Sequence, residues 1–457
     1  MLIEQFYLGC LSHASYVIAD EASGEALVVD PRRDIEVYVD FLAQRGLRPV
    51  GVALTHFHAD FLAGHLELRD RFQIPIYLGA LAEAEFGFTA LSDGDVVKLG
   101  RVRIAVLETP GHTPEGVSYV VSDGDGAAPH AVLTGDTLFI GDVGRPDLLS
   151  SVGVTSEELA GMLHDSLHRK LMALPDEVLV YPAHGAGSLC GNNLSTDTVS
   201  TIGAQRRGNA ALQAPDRASF VALVTAARPP APAYFLHDAV LNKQERPLLE
   251  ETLAASVTRL TAAEVRERMA AGARLLDVRH EDAFQAGFMA GAVNVGLHGR
   301  FAPWAGSVLA PGDELVVVGE ADQLDQAVIR LGRIGYDTVR GVIDWADLEA
   351  DLTAGELDTI DRVHPDRLPD HMAESGATIV DVRGPGEHAN ASLPGAVNAP
   401  LDRLAQIAAG WDRAAPLLVH CAAGYRSSCA VSLLKGMGFE QLADLQGGFR
   451  EELVEAL

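Results

Sequence analysis

Basic residues are scarce. Thirty-five lysines and arginines stand against 63 aspartates and glutamates, a formal net charge of -28 over 457 residues. A nucleic acid or an anionic membrane surface demands a basic face, so neither is expected as a partner, and the acidity reads as plain solubility. Cysteine is rarer still, at Cys10, Cys190, Cys421 and Cys429. Four scattered thiols make no disulfide framework and predict a reduced, cytoplasmic setting. No apolar run approaches the roughly 18 residues of a membrane span. The opening Met1-Leu2-Ile3-Glu4-Gln5 has an early acid and no basic region, so no secretory signal is expected.

What is present fits a globular α/β chain: 48% apolar residues, with 45 glycines and 22 prolines for turns. Its length predicts roughly three domains. The most informative stretch is Thr55-His56-Phe57-His58-Ala59-Asp60-Phe61, which follows the apolar run Val50 to Leu54. Residues two apart in extended chain face the same way, so His56, His58 and Asp60 can converge, and imidazole with carboxylate suits Zn, Fe or Mn. The motif recurs in kind. An expected hairpin about Gly100 leads to Pro110-Gly111-His112-Thr113, the strand from Ala131 leads to Gly135-Asp136-Thr137, and Val178 to Tyr181 leads to His184. His13, His65 and His130 are expected to be ordinary surface or satisfied histidines.

Residues 198–226 predict helix, and Arg228-Pro229-Pro230-Ala231-Pro232 breaks it. The expected domains are 1–240, a linker at 241–256, then 257–355 and 360–457. The last two are an internal duplication. Asp277-Val278-Arg279 returns as Asp381-Val382-Arg383, and Gly291-Ala292-Val293-Asn294 as Gly395-Ala396-Val397-Asn398, both at an offset of 104 residues. That period suits a duplicated domain of parallel-sheet α/β type, because solenoid repeats are shorter, roughly 20–50 residues.

In the second copy, Leu417 to His420 is an expected strand, followed by Cys421-Ala422-Ala423-Gly424-Tyr425-Arg426 and a helix. A sulfur at a strand end facing a helix N-terminus sits where the dipole and loop N–H groups favour an anion. The first copy has Val318 in place of Cys421 and continues Gly319-Glu320-Ala321-Asp322. It can form no persulfide, and it is expected to serve as a spacer or docking module. Cys429 reads as helix packing.

The motifs at His56, His112, Asp136 and His184 resemble the metallo-β-lactamase superfamily over about residues 1–240. The four residues between Cys421 and Arg426, with Asp381, Arg383, Glu387 and Pro394-Gly395, resemble rhodaneses. Together they resemble bacterial persulfide dioxygenase–rhodanese fusions. The fold implied is α/β and α+β multidomain, a metallo-β-lactamase αββα sandwich before two rhodanese-like α/β domains. Hydrolases of the superfamily commonly place a His after the motif Asp, where this chain has Phe61. That departure implies one metal.

The resemblance implies Fe(II), mononuclear, with Zn as a substitute, on His56, His112 and Asp136. His58, Asp60 and His184 become supporting groups, or a weak second metal site. Arg145 orients a loop near the metal, or simply pairs with Asp142 or Asp147. Cys190 is expected to face the metal pocket and to carry or receive sulfur. Cys421 and Arg426, with the loop Ala422, Ala423, Gly424 and Tyr425, would form the sulfur-transfer site. The implied partners are a persulfide of glutathione, coenzyme A or a similar thiol, O2 and sulfite. The implied products are sulfite, thiol and thiosulfate, in sulfide detoxification. A symmetric homo-oligomer is expected. The alternatives are a thioester hydrolase resembling glyoxalase II and a non-catalytic sulfur carrier or sensor.

Overall fold

The computed structural model describes residues 1–148, 153–191, 194–226 and 231–456. The chain divides into two compact units, Met1–Leu249 with Arg333–Gly335, and Glu250–Gly332 with Tyr336–Leu457.

The first unit holds two six-stranded sheets. One runs in chain order through β1 (Leu2–Leu8), β2 (His13–Asp20), β3 (Glu25–Val29), β4 (Arg48–Ala53), β5 (Ile76–Gly79) and β6 (Thr89–Leu91). The other contains β7 (Val96–Leu99), β8 (Val102–Glu108), β9 (Val117–Ser122), β10 (Ala131–Gly135), β11 (Leu179–Pro182) and β12 (Ser200–Thr201), ordered from β12 to β7. The expected hairpin about Gly100 is the antiparallel pair β7–β8.

Strand alternation builds the layers. Tyr119, Val121 and Leu133 point inward to a core shared with Tyr16, Ile18, Leu27 and Val29 of the other sheet. Val120 and Val132 point outward, to a second core with Leu163, Leu167 and Phe220. Those last three belong to α3 (Ser156–Arg169) and α5 (Arg217–Val224). Leu159, Leu163 and Leu167 recur every fourth residue, which aims one stripe of α3 at the sheet. A Thr155–Glu158 capping box starts that helix. On the outer side of the first sheet lie α1 (Glu36–Arg45) and α2 (His65–Phe72). The unit is an αββα sandwich.

Two expectations change. Residues 198–226 are not one helix: β12 is followed by α4 (Ile202–Gly208), a short 3-10 turn and α5. The stretch 241–256 is no slack linker. After α6 (Ala233–Leu241), Asn242 is buried and Arg246 donates to Glu67 of α2 at 2.6 Å, so the stretch up to Leu249 belongs to the first unit, and a helix follows at Leu249–Ser256. Residues 228–230 of the Pro-rich breaker lie outside the described residues.

The second unit contains both copies of the duplication, each with a mainly parallel sheet. The repeated residues make repeated bonds. The backbone N–H groups of Arg279 and Arg383 each donate to the preceding Asp277 or Asp381 at 3.0 Å, and Asn294 and Asn398 each donate to two carbonyls of that same turn.

Candidate metal centre and sulfur-transfer loop

Strand exits from both sheets meet at one end of the sandwich. His56 follows β4, His112 follows β8, Asp136 directly follows β10 and His184 follows β11. Two glycines permit the approach. Gly111 has φ +144° and lies against the backbone of Leu163 in α3, where no side chain would fit. A Cβ on Gly144 would overlap the Asp136 carbonyl oxygen.

His56, His112 and Asp136 come together, all buried, with one ligand atom from each inside 4.8 Å. Asp136 Oδ2 lies 3.8 Å from His56 Nε2 and 3.5 Å from His112 Nε2. Donor atoms held about 2.0–2.2 Å from a tetrahedral ion are about 3.4 Å apart. Both tautomers are set for ligation. His112 Nδ1–H donates to the Arg145 carbonyl at 2.9 Å. The Thr55 hydroxyl spends its proton on Asp30 Oδ2 at 2.8 Å, so it accepts from His56 Nδ1–H at 3.0 Å. Each Nε2 therefore keeps a lone pair facing Asp136, as metal-ligating histidines require. Burial holds both imidazoles below the ordinary histidine range, neutral and able to coordinate. Asp136 Oδ2 is buried without a hydrogen-bond partner among the described residues. An orphaned carboxylate oxygen between two imidazole lone pairs fits a cation.

His58, Asp60 and His184 form an adjoining buried group. His184 Nδ1 donates to Asp136 Oδ1 at 2.7 Å, and its Nε2 lies 2.9 Å from Asp60 Oδ2. Burial opposes protonation of His184, but the two carboxylates outweigh it and hold the ring well above the ordinary histidine value. Nδ1 is thus hydrogen-bonded to one carboxylate and Nε2 faces another. His58 Nε2 lies 3.1 Å from Asp30 Oδ1. Phe61 is fully buried, its ring centroid 4.5 Å from that of His58 and 4.0 Å from that of His13.

His13 corrects the sequence reading, because it is wholly buried beside this group and neither ring nitrogen has a hydrogen-bond partner among the described residues. It opens β2, far away in sequence, and nothing local marks it. His65 is also buried, against Phe86, whereas His130 is exposed.

Arg145 acts through both its halves. The guanidinium grips Asp147 at 2.8 and 2.6 Å, and the backbone binds His112 through its carbonyl and the Cys190 carbonyl through its N–H. Cys190 is buried, with its sulfur grouped with Asp136 and His184. Burial, then Asp60 and Asp136, push its thiol well above the usual range, so it is held neutral.

Sequence reasoning missed three supports. Asp30 accepts from Thr55 N–H and hydroxyl, Glu115 accepts from Phe57 N–H at 3.1 Å, and Asn242 donates to the carbonyls of His58 and Phe61 at 2.8 Å. Asp30 carried one signal: it exits β3 just as the site residues exit their strands.

In the second unit, Cys421 sits buried between the strand Leu417–His420 and the helix Tyr425–Gly436. The Gly424 N–H donates to its sulfur at 3.1 Å. Ala422 and Ala423 form the exposed rim, and Gly424 is the helix N-cap with φ 106°. Arg426 makes a two-pronged pair with Glu387 at 2.7 and 2.8 Å. The other copy supports the loop. Tyr425 donates to the Gly296 carbonyl at 2.6 Å, and Ser428 donates to Asn294 at 2.7 Å.

Comparison with known proteins agrees with this anatomy. The Metallo-beta-lactamase superfamily model matches residues 8–184, and the Rhodanese-like domain model matches 261–343 and 364–452. The probable metallo-hydrolase YqgX of Bacillus subtilis (strain 168) is 31% identical over 195 residues, which is 38% of this chain and 85% of that protein. The mitochondrial persulfide dioxygenase ETHE1 of Bos taurus is 32% identical over 203 residues, which is 43% of this chain and 69% of that protein. A crystal structure of a metallo-beta-lactamase from Staphylococcus aureus subsp. aureus COL superposes with a TM-score of 0.67 at 30% identity, covering 75% of this chain and 98% of that one. The chain belongs to the metallo-beta-lactamase superfamily, with two rhodanese-like domains following the lactamase-fold domain.

Proposed function

We propose that the first unit is a mononuclear Fe(II) persulfide dioxygenase, and that the second moves sulfur from a Cys421 persulfide to sulfite, giving thiosulfate in sulfide detoxification. The carrying observation is the face of His56, His112 and Asp136, with its unclaimed Oδ2 and with Phe61 where a further ligand would stand. Two imidazoles and one carboxylate with open positions suit non-haem Fe(II). The kinship with the bovine persulfide dioxygenase supports the substrate class.

Fe(II) held there supplies the redox chemistry with O2. The chain supplies the rest. The Arg145 carbonyl and Thr55 hydroxyl fix the ligand tautomers. His184 donates its Nδ1–H to Asp136 Oδ1 and so fixes the carboxylate's rotamer. Phe61 excludes water from the neighbouring group. Cys190 lies beside Asp136 as a neutral thiol, and for it to carry or receive sulfur its proton must pass to a neighbouring carboxylate, because the thiolate is the nucleophile.

The overall reaction balances as persulfide, O2 and water giving thiol, sulfite and two protons. Cys421 takes the outer sulfur of a second persulfide, whose thiol leaves. Sulfite then attacks that sulfur, the S–S bond breaks, and Cys421 departs as thiolate toward the Gly424 N–H. Glutathione and coenzyme A persulfides are the carrier class, and the working form is a symmetric homo-oligomer. The fused arrangement raises the effective concentration of sulfite near Cys421.

A metal-dependent thioester hydrolase is the second reading, favoured by the likeness to a probable metallo-hydrolase. Oxygen uptake by the Fe(II)-loaded chain with glutathione persulfide separates the two. Rapid uptake with sulfite or thiosulfate as product is expected. Absence of uptake together with rapid thioester cleavage overturns the proposal.

A further inference from the structure

The second unit carries a cluster that the chemistry above does not use. His280, Glu281 and His298 all belong to the copy that lacks a cysteine, and one ligand atom from each lies inside 4.8 Å of the others. Glu281 Oε2 is 3.2 Å from His298 Nε2 and 3.6 Å from His280 Nδ1. These separations bracket the roughly 3.4 Å expected between donors about a tetrahedral ion. The same oxygen is buried and has no hydrogen-bond partner among the described residues. The imidazoles stack with centroids 4.5 Å apart and planes 13° apart, and their side chains are 54% and 44% exposed, so both can turn toward an ion without disturbing the core.

We propose that His280, Glu281 and His298 bind a borderline divalent cation of the Zn2+ class. Two imidazoles and one carboxylate select Zn2+, Co2+ or Ni2+ over Mg2+ or Ca2+, which take oxygen ligands. Three protein ligands leave a fourth position for solvent or an incoming anion. What the ion displaces is weak: His280 Nδ1 accepts the Asp282 N–H at 3.3 Å, a long bond at an exposed residue. The positive end of the short helix Glu281–Ala286 opposes a cation, and the acids Glu281 and Asp282 in its first turn offset that.

The location gives the site its interest. Glu281 Oε1 faces Gly424 of the sulfur-transfer loop, and the His298 ring lies 5.0 Å from that of Tyr425. His280 and Glu281 help to line a cavity of about 330 Å³ together with Ala423, Gly424, Arg362 and Arg450. An ion held here borders the cavity that Ala423 and Gly424 of the Cys421 loop also line. The copy without a cysteine would thus supply a metal site to the copy that has one.

The test counts zinc bound to the full-length, iron-loaded chain by equilibrium dialysis, with Co2+ absorption reporting the ligand set. Wild type and Cys421→Ser are expected to take one equivalent more than the His280→Ala/His298→Ala double variant. Glu281→Gln, which preserves shape, is expected to weaken that equivalent at least about tenfold. Equal stoichiometry in wild type and the double variant overturns the proposal. So does loss of the extra equivalent in Cys421→Ser, which would assign the ion to the sulfur.

Discussion

His184 and Asp136 divide the carboxylate between them: Oδ1 takes the His184 Nδ1–H at 2.7 Å, and Oδ2 is left facing the Nε2 atoms of His56 and His112. The imidazolium therefore orients the oxygen it does not touch. Its Nε2 also lies 2.9 Å from Asp60 Oδ2, so the ring stands between two carboxylates.

Removing that orientation should weaken metal binding without deleting a ligand. His184→Ala is expected to lower iron affinity by about 10–100-fold, measured by chelator competition. Unchanged affinity would show that Asp136 needs no partner to hold its rotamer.

Phe61 is the residue through which the sequence argues for one metal. Phe61→His puts an imidazole beside His58, Asp60 and His184, and in the His280→Ala/His298→Ala background the metal content of the full chain is expected to rise from one toward two equivalents. Elemental analysis after metal loading is the measurement, and a value that stays at one removes the argument from Phe61.

Cys421→Ala should separate the two chemistries. Oxygen consumption is expected to persist while the product changes from thiosulfate to sulfite, as resolved by thiol-reactive labelling and chromatography. Continued thiosulfate formation would exclude Cys421 as the sulfur carrier.

The duplication offers an internal control. Asn294 and Asn398 brace equivalent turns, but only Asn294 also accepts from Ser428 of the other copy. Asn294→Ala should cost about 1–2 kcal/mol more stability than Asn398→Ala, since it strands a buried hydroxyl as well. All three tryptophans, Trp304, Trp345 and Trp411, lie in the second unit, so fluorescence-detected denaturation reads it selectively. Equal costs would count against a bracing role for the first copy.

Asp444 predicts a pH dependence. Burial pushes its carboxyl from 3.8 up to about 7, with the Gln285 amide donating at 3.1 Å. Between those values the folded chain holds a proton that the unfolded chain releases, so stability falls as pH rises from about 4 to about 7, then levels off. Asp444→Asn should match wild type near pH 4 and exceed it by up to about 4 kcal/mol above pH 7. A constant difference across that range would contradict the assignment.

Much of this protein is local information. The strand exits at His56, His112, Asp136 and His184, the repeat at Asp277 and Asp381, and the loop from Cys421 to Arg426 are legible because strand periodicity and turn residues act over a few positions. The sequence also marks what is missing: Phe61 cannot ligate, and Val318 cannot carry sulfur. Tertiary structure decided the rest. His13 opens β2 yet packs on Phe61, Asn242 comes from an expected linker yet ties the His58 loop, and Asp30 fixes a tautomer through Thr55. No short-range pattern encodes these, because burial, and with it proton position and charge, depends on which distant strands and helices close over a side chain.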